Sequence, residues 1–530
     1  MDKWWKNEAV YQVYPLSFCD SNGDGYGDIP GIISKLDYIK ALGVGAIWLS
    51  PVYKSPMEDN GYDVSDYMDI NPLFGTMDDM DALIAEAGKR GLKIIMDIVL
   101  NHTSDRHEWF RKALAGDRKY HDYYIWSRRP NNWGNFFGQE PWTKPEGMDE
   151  YYLHLFAKGQ PDLNYRNPAV VREMENVMRF WLDKGVAGFR CDAVNFIWKD
   201  DLKNGRPRIV LTGLEKYLSR PGCQELLKRF RSDVWRDAFT VGETALVTPD
   251  NAEELCPQDG SELDEAFYFD HMNADCRVVK WFKRGSFEPE RLFKELARWQ
   301  EAPVWNAVYF ENHDQPRSVS RWYGEGQYRE RAAKAMCLLL LSLRGTPFIY
   351  QGEELGMTDF DFAGMEQIRD VETFSVAERL KKLGLPKGAR WNLVKRTSRD
   401  NARTPMQWTA GKNAGFSEGE PWLGVNANRD EINAEAEQAD GGSVLAFYRR
   451  MLALRNASPI LREGTFTLKN IDGPLFYFER EFEGEKAKVL VNFSGERVYS
   501  GTHGEVVISN CRLREVFHGK LDPWEGLILR

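Results

Sequence analysis

Residues 92–102 read Leu-Lys-Ile-Ile-Met-Asp-Ile-Val-Leu-Asn-His, an apolar run interrupted by Asp97 and ending in the polar pair Asn101-His102. A strand buried on both faces reads this way, because helices cover its sheet on each side. A helix precedes it. Thr76 can cap that helix with Asp79 three residues on, Met80, Leu83, Ile84 and Ala87 recur on one face, and Gly91 suits its C-terminal turn. Further upstream, 46–50 is a short apolar strand, 33–42 has helical spacing through Ile33, Leu36, Ile39 and Leu42, and 9–15 is a strand. Downstream, 188–193, 239–243, 265–269, 307–310 and 347–351 are short apolar strands with helical segments between them. Eight such strands predict a (β/α)₈ TIM barrel. A doubly wound open sheet is the alternative, but no glycine-rich nucleotide turn follows the first strand.

Two regions break the alternation. Residues 103–165 are rich in Trp, Tyr, Asn, Pro and Gly and lack helical periodicity, so a small inserted domain is expected after the third strand. From 460 onward the pattern is alternating strands, at 475–478, 488–493, 505–509 and 526–529, which predicts a C-terminal antiparallel β-sandwich domain. The expected division is a barrel from 1–102 and 166–459, an insert at 103–165 and an all-β domain at 460–530.

Composition narrows the function. The chain has 530 residues and a net charge of −10, so a phosphate backbone would be repelled and nucleic acid is not an expected partner. Eighteen Trp exceed what a core needs and suit flat stacking on the apolar faces of sugar rings. No basic start precedes an apolar stretch and no run approaches 18 apolar residues, so neither a signal peptide nor a membrane partner is expected. Seven scattered Cys without a CxxC pair suit free thiols in a cytoplasmic, reducing setting. A monomer is the default; nothing in the sequence sets the oligomeric state.

Reactive groups of a barrel sit at the C-terminal ends of its strands. Here the third strand ends in Asp97…Asn101-His102, the fourth carries Arg190-Cys-Asp192, the fifth ends in Gly242-Glu243, and the seventh runs into Glu311-Asn-His313-Asp314. A lone strand-end Asp is usually a cap or an ion pair. Three strand-end carboxylates on apolar strands, with His and Arg beside them, point to catalysis, since unpaired buried charge is costly.

These four motifs, in this order, resemble glycoside hydrolase family 13, the α-amylase family, over nearly the whole chain. Gln160–Asn164 and 399–408 (RDNARTPMQW) are similar to its oligo-1,6-glucosidase and α-glucosidase branch. The resemblance implies a retaining, exo-acting α-glucosidase that works through a covalent glucosyl-enzyme. Asp192 is then the nucleophile, Glu243 the general acid and base, and Asp314 the third carboxylate. Retention needs the two carboxyls roughly 5–5.5 Å apart, which neighbouring strand ends can supply. Arg190 lies two residues before Asp192 on the same face and is expected to keep it ionised. The resemblance further implies that His102 and His313 bond sugar hydroxyls, that Tyr62 stacks on the ring, and that Asp63 and Arg403 clamp the non-reducing end.

Asp20, Asn22, Asp24, Tyr26 (through its carbonyl) and Asp28 alternate around Gly25, a spacing that wraps a hard cation. Gly31 stands where an EF-hand needs a bidentate Glu, so a structural Ca²⁺ or Mg²⁺ is expected in a different loop type; catalysis needs no cofactor. Linkage stays open. Gln160–Asn164 hints at α-1,6 bonds, whereas the small Ala193 beside Asp192 leaves room for α-1,4 bonds. Alternatives are a glucosyltransferase, a sucrose- or trehalose-type disaccharide enzyme, or a non-catalytic sugar-binding or transporter-associated homologue. The last usually loses the nucleophile or the acid, and both stand here. A phosphorylated substrate would want a basic cluster; Lys381, Lys382 and Lys387 read better as a solvated helix face.

Overall fold

The computed structural model describes residues 3–208, 211–276, 280, 287–323 and 325–530. Eight parallel strands form one sheet: β1 (Val10–Val13), β2 (Ala46–Leu49), β3 (Lys93–Val99), β4 (Gly188–Asp192), β5 (Phe239–Glu243), β6 (Glu265–Phe267), β7 (Ala307–Val308) and β8 (Thr346–Tyr350). Their spatial order is β6-β5-β4-β3-β2-β1-β8-β7. A parallel bridge from Ala266 to Asn306 joins the two ends, so the sheet curls into a barrel. Nearly every strand residue is buried, which explains the continuous apolar runs: helices cover the outside and side chains fill the inside.

Local chemistry sets most element ends. The helix Met77–Lys89 begins at a capping box in which the Thr76 side chain and Asp79 each accept from the other's backbone N–H. The 33–42 periodicity belongs to two helices, Ile29–Ser34 and Leu36–Leu42, because the backbone leaves helical geometry at Lys35. Gly43, at φ +103°, ends the second.

The insert holds a three-stranded antiparallel sheet made of Trp126–Ser127, Tyr151–Leu153 and Trp142–Thr143. A bridge from His102 to Asp162 and the Leu163 N–H bond to the Asn101 carbonyl tie it to the end of β3, and a bridge from Tyr124 to Leu163 joins two parts of the insert itself. The C-terminal strands form a six-stranded antiparallel sheet beside a two-stranded ribbon, Val498–Tyr499 with Lys520–Leu521. Leu475, Leu490, Phe517, Leu521, Leu527 and Leu529 pack between them. Thr465–Asp472, which the sequence did not signal, is an edge strand; exposed residues separate its partly buried Phe466, Leu468 and Ile471, so no continuous apolar run marks it. Arg480 is buried with the Ser342 and Gly464 carbonyls as acceptors, joining this sheet to the end of the helix Arg329–Ser342. Among the described residues no helix is long and apolar enough to cross a membrane.

Candidate active site

Strand register builds the centre. Arg190 on β4 lies opposite Asp97 on β3 and Val241 on β5. Two residues further on, Asp192 and Glu243 come level on adjacent strands, with side chains on one face. Arg190 sits beneath them. Its Nη1 is 2.9 Å from Asp97 Oδ1 and 2.5 Å from Asp192 Oδ1, and its Nη2 is 3.0 Å from Glu243 Oε2.

One buried guanidinium thus serves three carboxyls, and burial works against charging all three. Burial lifts Asp192 to about 6 against the pull of Arg190, and Asp97 likewise to about 6. Glu243 rises further, to about 8. Burial is again the largest cause, Arg190 opposes it, and the charges of Asp192 and Asp314 add to the rise. Arg190 therefore does not hold Asp192 at an ordinary carboxylate value, because burial outweighs its pull and the Asp97 charge adds to the rise. At neutral pH Asp192 is still charged while Glu243 keeps its proton. Ala193 donates its backbone N–H to Glu243 Oε2 at 3.2 Å from a left-handed conformation, φ +44°.

Asp314 is the opposite case. Burial disfavours its charge, but the His313 ring, charged only once acid protonates it, and the standing charges of Arg399, Arg403 and Lys280 hold its carboxyl well below the usual range. Arg403 Nη2 lies 2.8 Å from Asp314 Oδ1 and Arg399 Nη1 lies 3.3 Å from the same oxygen. His313 Nδ1 accepts from the Gln12 side-chain amide at 2.8 Å, which leaves the ring proton on Nε2, 2.7 Å from the Tyr62 hydroxyl. Tyr62 in turn donates to Asp97 Oδ2 at 3.0 Å. Burial pushes His313 down to about 3 and His102 down to about 4, so both rings are neutral; His102 lines the cavity, whereas His313 lies behind it with both ring nitrogens taken by Gln12 and Tyr62.

Asp59, Tyr62, His102, Asp192, Glu243 and Asp314 line a single cavity of about 500 Å³, with Arg190 and His313 directly behind them. The clamp assigned to Asp63 and Arg403 is corrected. Asp63 lies behind the cavity wall, where its carboxylate accepts from Ser55 Oγ and from the N–H groups of Glu58 and Asp59. Arg403 donates to the His313 carbonyl and to Asp314. The pair facing the cavity is Asp59 and Arg399, 2.9 Å apart. Gln160 closes the group by donating to Asp59 Oδ2 at 3.0 Å. Asp59 escaped the sequence reading, although it shares a loop with Tyr62 and Asp63. Nearby, the buried Lys199 ammonium bridges Asn101 Oδ1 at 2.8 Å and Asp162 Oδ2 at 2.7 Å, pinning the insert to the end of β3.

The 20–28 loop is a run of turns held by its own side chains. Asp20 accepts from the N–H groups of Asn22, Gly23 and Gly25, Asn22 from that of Asp24, and Asp24 from that of Tyr26. A Cβ on Gly25 would lie 1.9 Å from the Glu420 carbonyl oxygen. Asp28 caps the helix Ile29–Ser34 through Gly31 N–H and also accepts from Ser21. Among the described residues no three His, Cys, Asp or Glu side chains converge on one point as metal ligands. A cation here would need the Asn22 and Tyr26 oxygens as well, a mixed oxygen set that suits a hard ion.

The chain resembles known proteins along its length. A model of the α-amylase catalytic domain matches residues 12–464. An oligo-1,6-glucosidase from Parageobacillus thermoglucosidasius is 44% identical, with 99% of each chain covered. A glucan 1,6-alpha-glucosidase from Streptococcus pneumoniae is 42% identical over 99% of this chain and 98% of its own. Among solved structures, a trehalose-6-phosphate hydrolase from Bacillus licheniformis superposes with a TM-score of 0.91 at 39% identity, with 99% of both chains covered.

Proposed function

Because this chain belongs to the α-amylase family of glycoside hydrolases, we propose that Asp192 is its nucleophile, Glu243 its acid and base, and Asp314 the carboxylate that steadies the cation-like sugar. The enzyme is an exo-acting α-glucosidase that takes terminal α-linked glucose from short oligosaccharides. One observation carries the assignment of roles: two carboxyls on neighbouring strands share Arg190, yet stay one charged and one protonated.

Glu243 donates its proton to the glycosidic oxygen as Asp192 attacks the anomeric carbon. The glucosyl ester that forms cancels the charge on Asp192. One of the charges that raised Glu243 is then gone, so Glu243 can take a proton from the incoming water. Water attacks the face the leaving group left, and the α configuration returns. Asp59, Arg399, Gln160 and His102 bind the terminal hydroxyls, and the closed Asp59–Arg399 end stops a longer chain from threading through.

We extend the proposal to linkage: the enzyme accepts both α-1,6 and α-1,4 bonds. The two 1,6-acting relatives support the first, and the small Ala193 beside Asp192 supports the second. We further propose a structural divalent cation held by Asp20, Asn22, Asp24, the Tyr26 carbonyl and Asp28. The odd, scattered cysteines suit a reducing compartment, which supports a cytoplasmic setting. The decisive experiment is proton NMR of maltose and isomaltose digests. The α-anomer of glucose is expected first from both; first release of the β-anomer overturns the assignment of Asp192 and Glu243.

A further inference from the structure

Two arginines of one turn hold Asp314, and a third arginine holds that turn. Arg317 follows Asp314 by three residues, is fully buried and stands outside the cavity lining. Its Nη1 donates to Glu311 Oε2 at 2.9 Å and to the Gln351 carbonyl at 2.8 Å, and its Nη2 donates to the Ala402 carbonyl at 3.2 Å. The guanidinium carbon lies 4.8 Å from the centre of the Tyr350 ring. The Tyr350 hydroxyl donates to the same Ala402 carbonyl at 2.9 Å, so that oxygen is fixed from two sides.

Ala402 stands between Arg399 and Arg403, in the turn that opens with Arg399–Asn401. From this turn both arginines reach Asp314 Oδ1, and Arg399 also holds Asp59. Glu311 belongs to the other half of the pairing. It lies three residues before Asp314 and accepts from the Ser318 N–H at 2.8 Å. One guanidinium thus grips the segment of the carboxylate through Glu311, the turn of the arginines through Ala402, and the end of β8 through Gln351. Pairing with Glu311 needs only a charge. Reaching two further carbonyls while lying against Tyr350 needs a planar fork, which lysine lacks.

We infer that Arg317 is a positioning residue for sugar binding: through the Ala402 carbonyl it aims Arg399 and Arg403 at Asp314, and so sets the shape of the closed Asp59–Arg399 end. The inference rests on the reading of Asp59, Asp314 and Arg399 as groups that bind the terminal glucose. Arg317 touches no sugar itself. Its effect passes through the carbonyl to arginines that do their work several bonds away. Asp370 still holds Arg399 from behind, so a turn freed at Ala402 loses its aim only in part, and the loss falls on KM.

The test is a pair of double-mutant cycles read by steady-state kinetics on isomaltose. Arg317→Lys keeps the charge beside Glu311 but cannot reach both carbonyls. It should raise KM about tenfold and leave kcat within about threefold. Tyr350→Phe removes one bond to Ala402 and keeps the Arg317–Glu311 pair; it should raise KM about fivefold, the scale of one hydrogen bond. Beside Arg399→Lys each change should raise KM by less than about 1.5-fold, because the aim it sets is already lost. Arg480→Lys is the control, a buried arginine held by carbonyls at the joint with the C-terminal sheet; it should lower Tm without moving KM. A KM unmoved by Tyr350→Phe, or raised by it equally with and without Arg399→Lys, overturns the inference whether or not Arg317→Lys folds. A KM left within twofold of wild type by Arg399→Lys alone sinks the reading beneath it.

Discussion

Arg399 Nη2 lies 2.9 Å from Asp59 Oδ1, while Nη1 of the same guanidinium reaches Asp314 Oδ1 at 3.3 Å. Asp370 holds the group from behind at 2.7 Å. One planar cation therefore ties the closed end of the cavity to the carboxylate beside the reacting sugar. Lysine cannot reproduce such a fork. Arg399→Lys should lower kcat/KM on isomaltose by about 50-fold, or roughly 2.3 kcal/mol, less than the about 3–5 kcal/mol of losing a buried partner outright because lysine keeps the charge. Most of that loss should appear in KM, and Asp59→Asn should behave alike. Steady-state kinetics showing a KM within twofold of wild type in both variants would remove these residues from the binding site.

The carboxyl pair makes a sharper claim. Asp192→Asn removes the nucleophile and should cost at least about a thousandfold in kcat on every substrate. Glu243→Gln should cost about as much on maltose, within the usual range for a general acid. It should cost much less in the first step with a dinitrophenyl glucoside, whose leaving group departs without a proton. A burst of dinitrophenol followed by slow turnover is the expected trace. Equal losses on both substrates in that first step would argue against Glu243 as the acid.

The pH profile follows from the same pair. Activity needs Asp192 ionised, which favours pH above about 6, and Glu243 protonated, which favours pH below about 8. A plot of kcat/KM against pH should therefore be a bell with its maximum near 7, and its two limbs belong to the coupled pair. In Glu243→Gln, assayed with the dinitrophenyl glucoside, the alkaline limb should vanish while the acid limb remains. An alkaline limb that survives in this variant assigns it to another group.

The barrel was legible in the sequence because its strands are buried on both faces and end in polar residues. Arg190 and Asp192 could be set on one face from the strand period, and Glu243 beside them from its place at the end of the next strand. The clamp could not. Asp59 and Asp63 are four residues apart in one loop, and Arg399 and Arg403 four apart near a single 3₁₀ turn, Arg399–Asn401. Which member faces the cavity depends on contacts from distant parts of the chain. Asp63 is turned away by its bonds to Ser55, Glu58 and Asp59, while Arg399 is aimed by Asp370.

The loop at 20–28 gives a test independent of catalysis. If it binds a divalent cation, a chelator should lower Tm and added Ca²⁺ or Mg²⁺ should restore it. At a hundredfold excess over Kd the ion stabilises by about 2.7 kcal/mol. Asp24→Ala should lower Tm and abolish the response to chelator, while leaving the α-anomer as first product. Calorimetry that finds no metal-dependent shift in the wild-type protein would leave the loop as a hydrogen-bonded turn.

Ala193 joins strain, charge and linkage in one residue. It is buried beside Asp192, sits at φ +44°, and gives its N–H to Glu243 Oε2. Valine would put a branched side chain in a conformation it avoids, at a cost of about 1–3 kcal/mol, and would crowd the side where the leaving group lies. Ala193→Val should therefore lower Tm and reduce kcat/KM on maltose about tenfold relative to isomaltose, the scale expected for added methyl groups in a specificity pocket. Ala193→Gly separates the two causes, because it relieves the backbone without adding bulk and should leave the ratio near wild type. The N–H bond favours the charged form of Glu243. If valine displaces that N–H, the Glu243 pKa rises further and the alkaline limb moves to higher pH. A maltose-to-isomaltose ratio unchanged by valine would mean that linkage is decided elsewhere in the cavity.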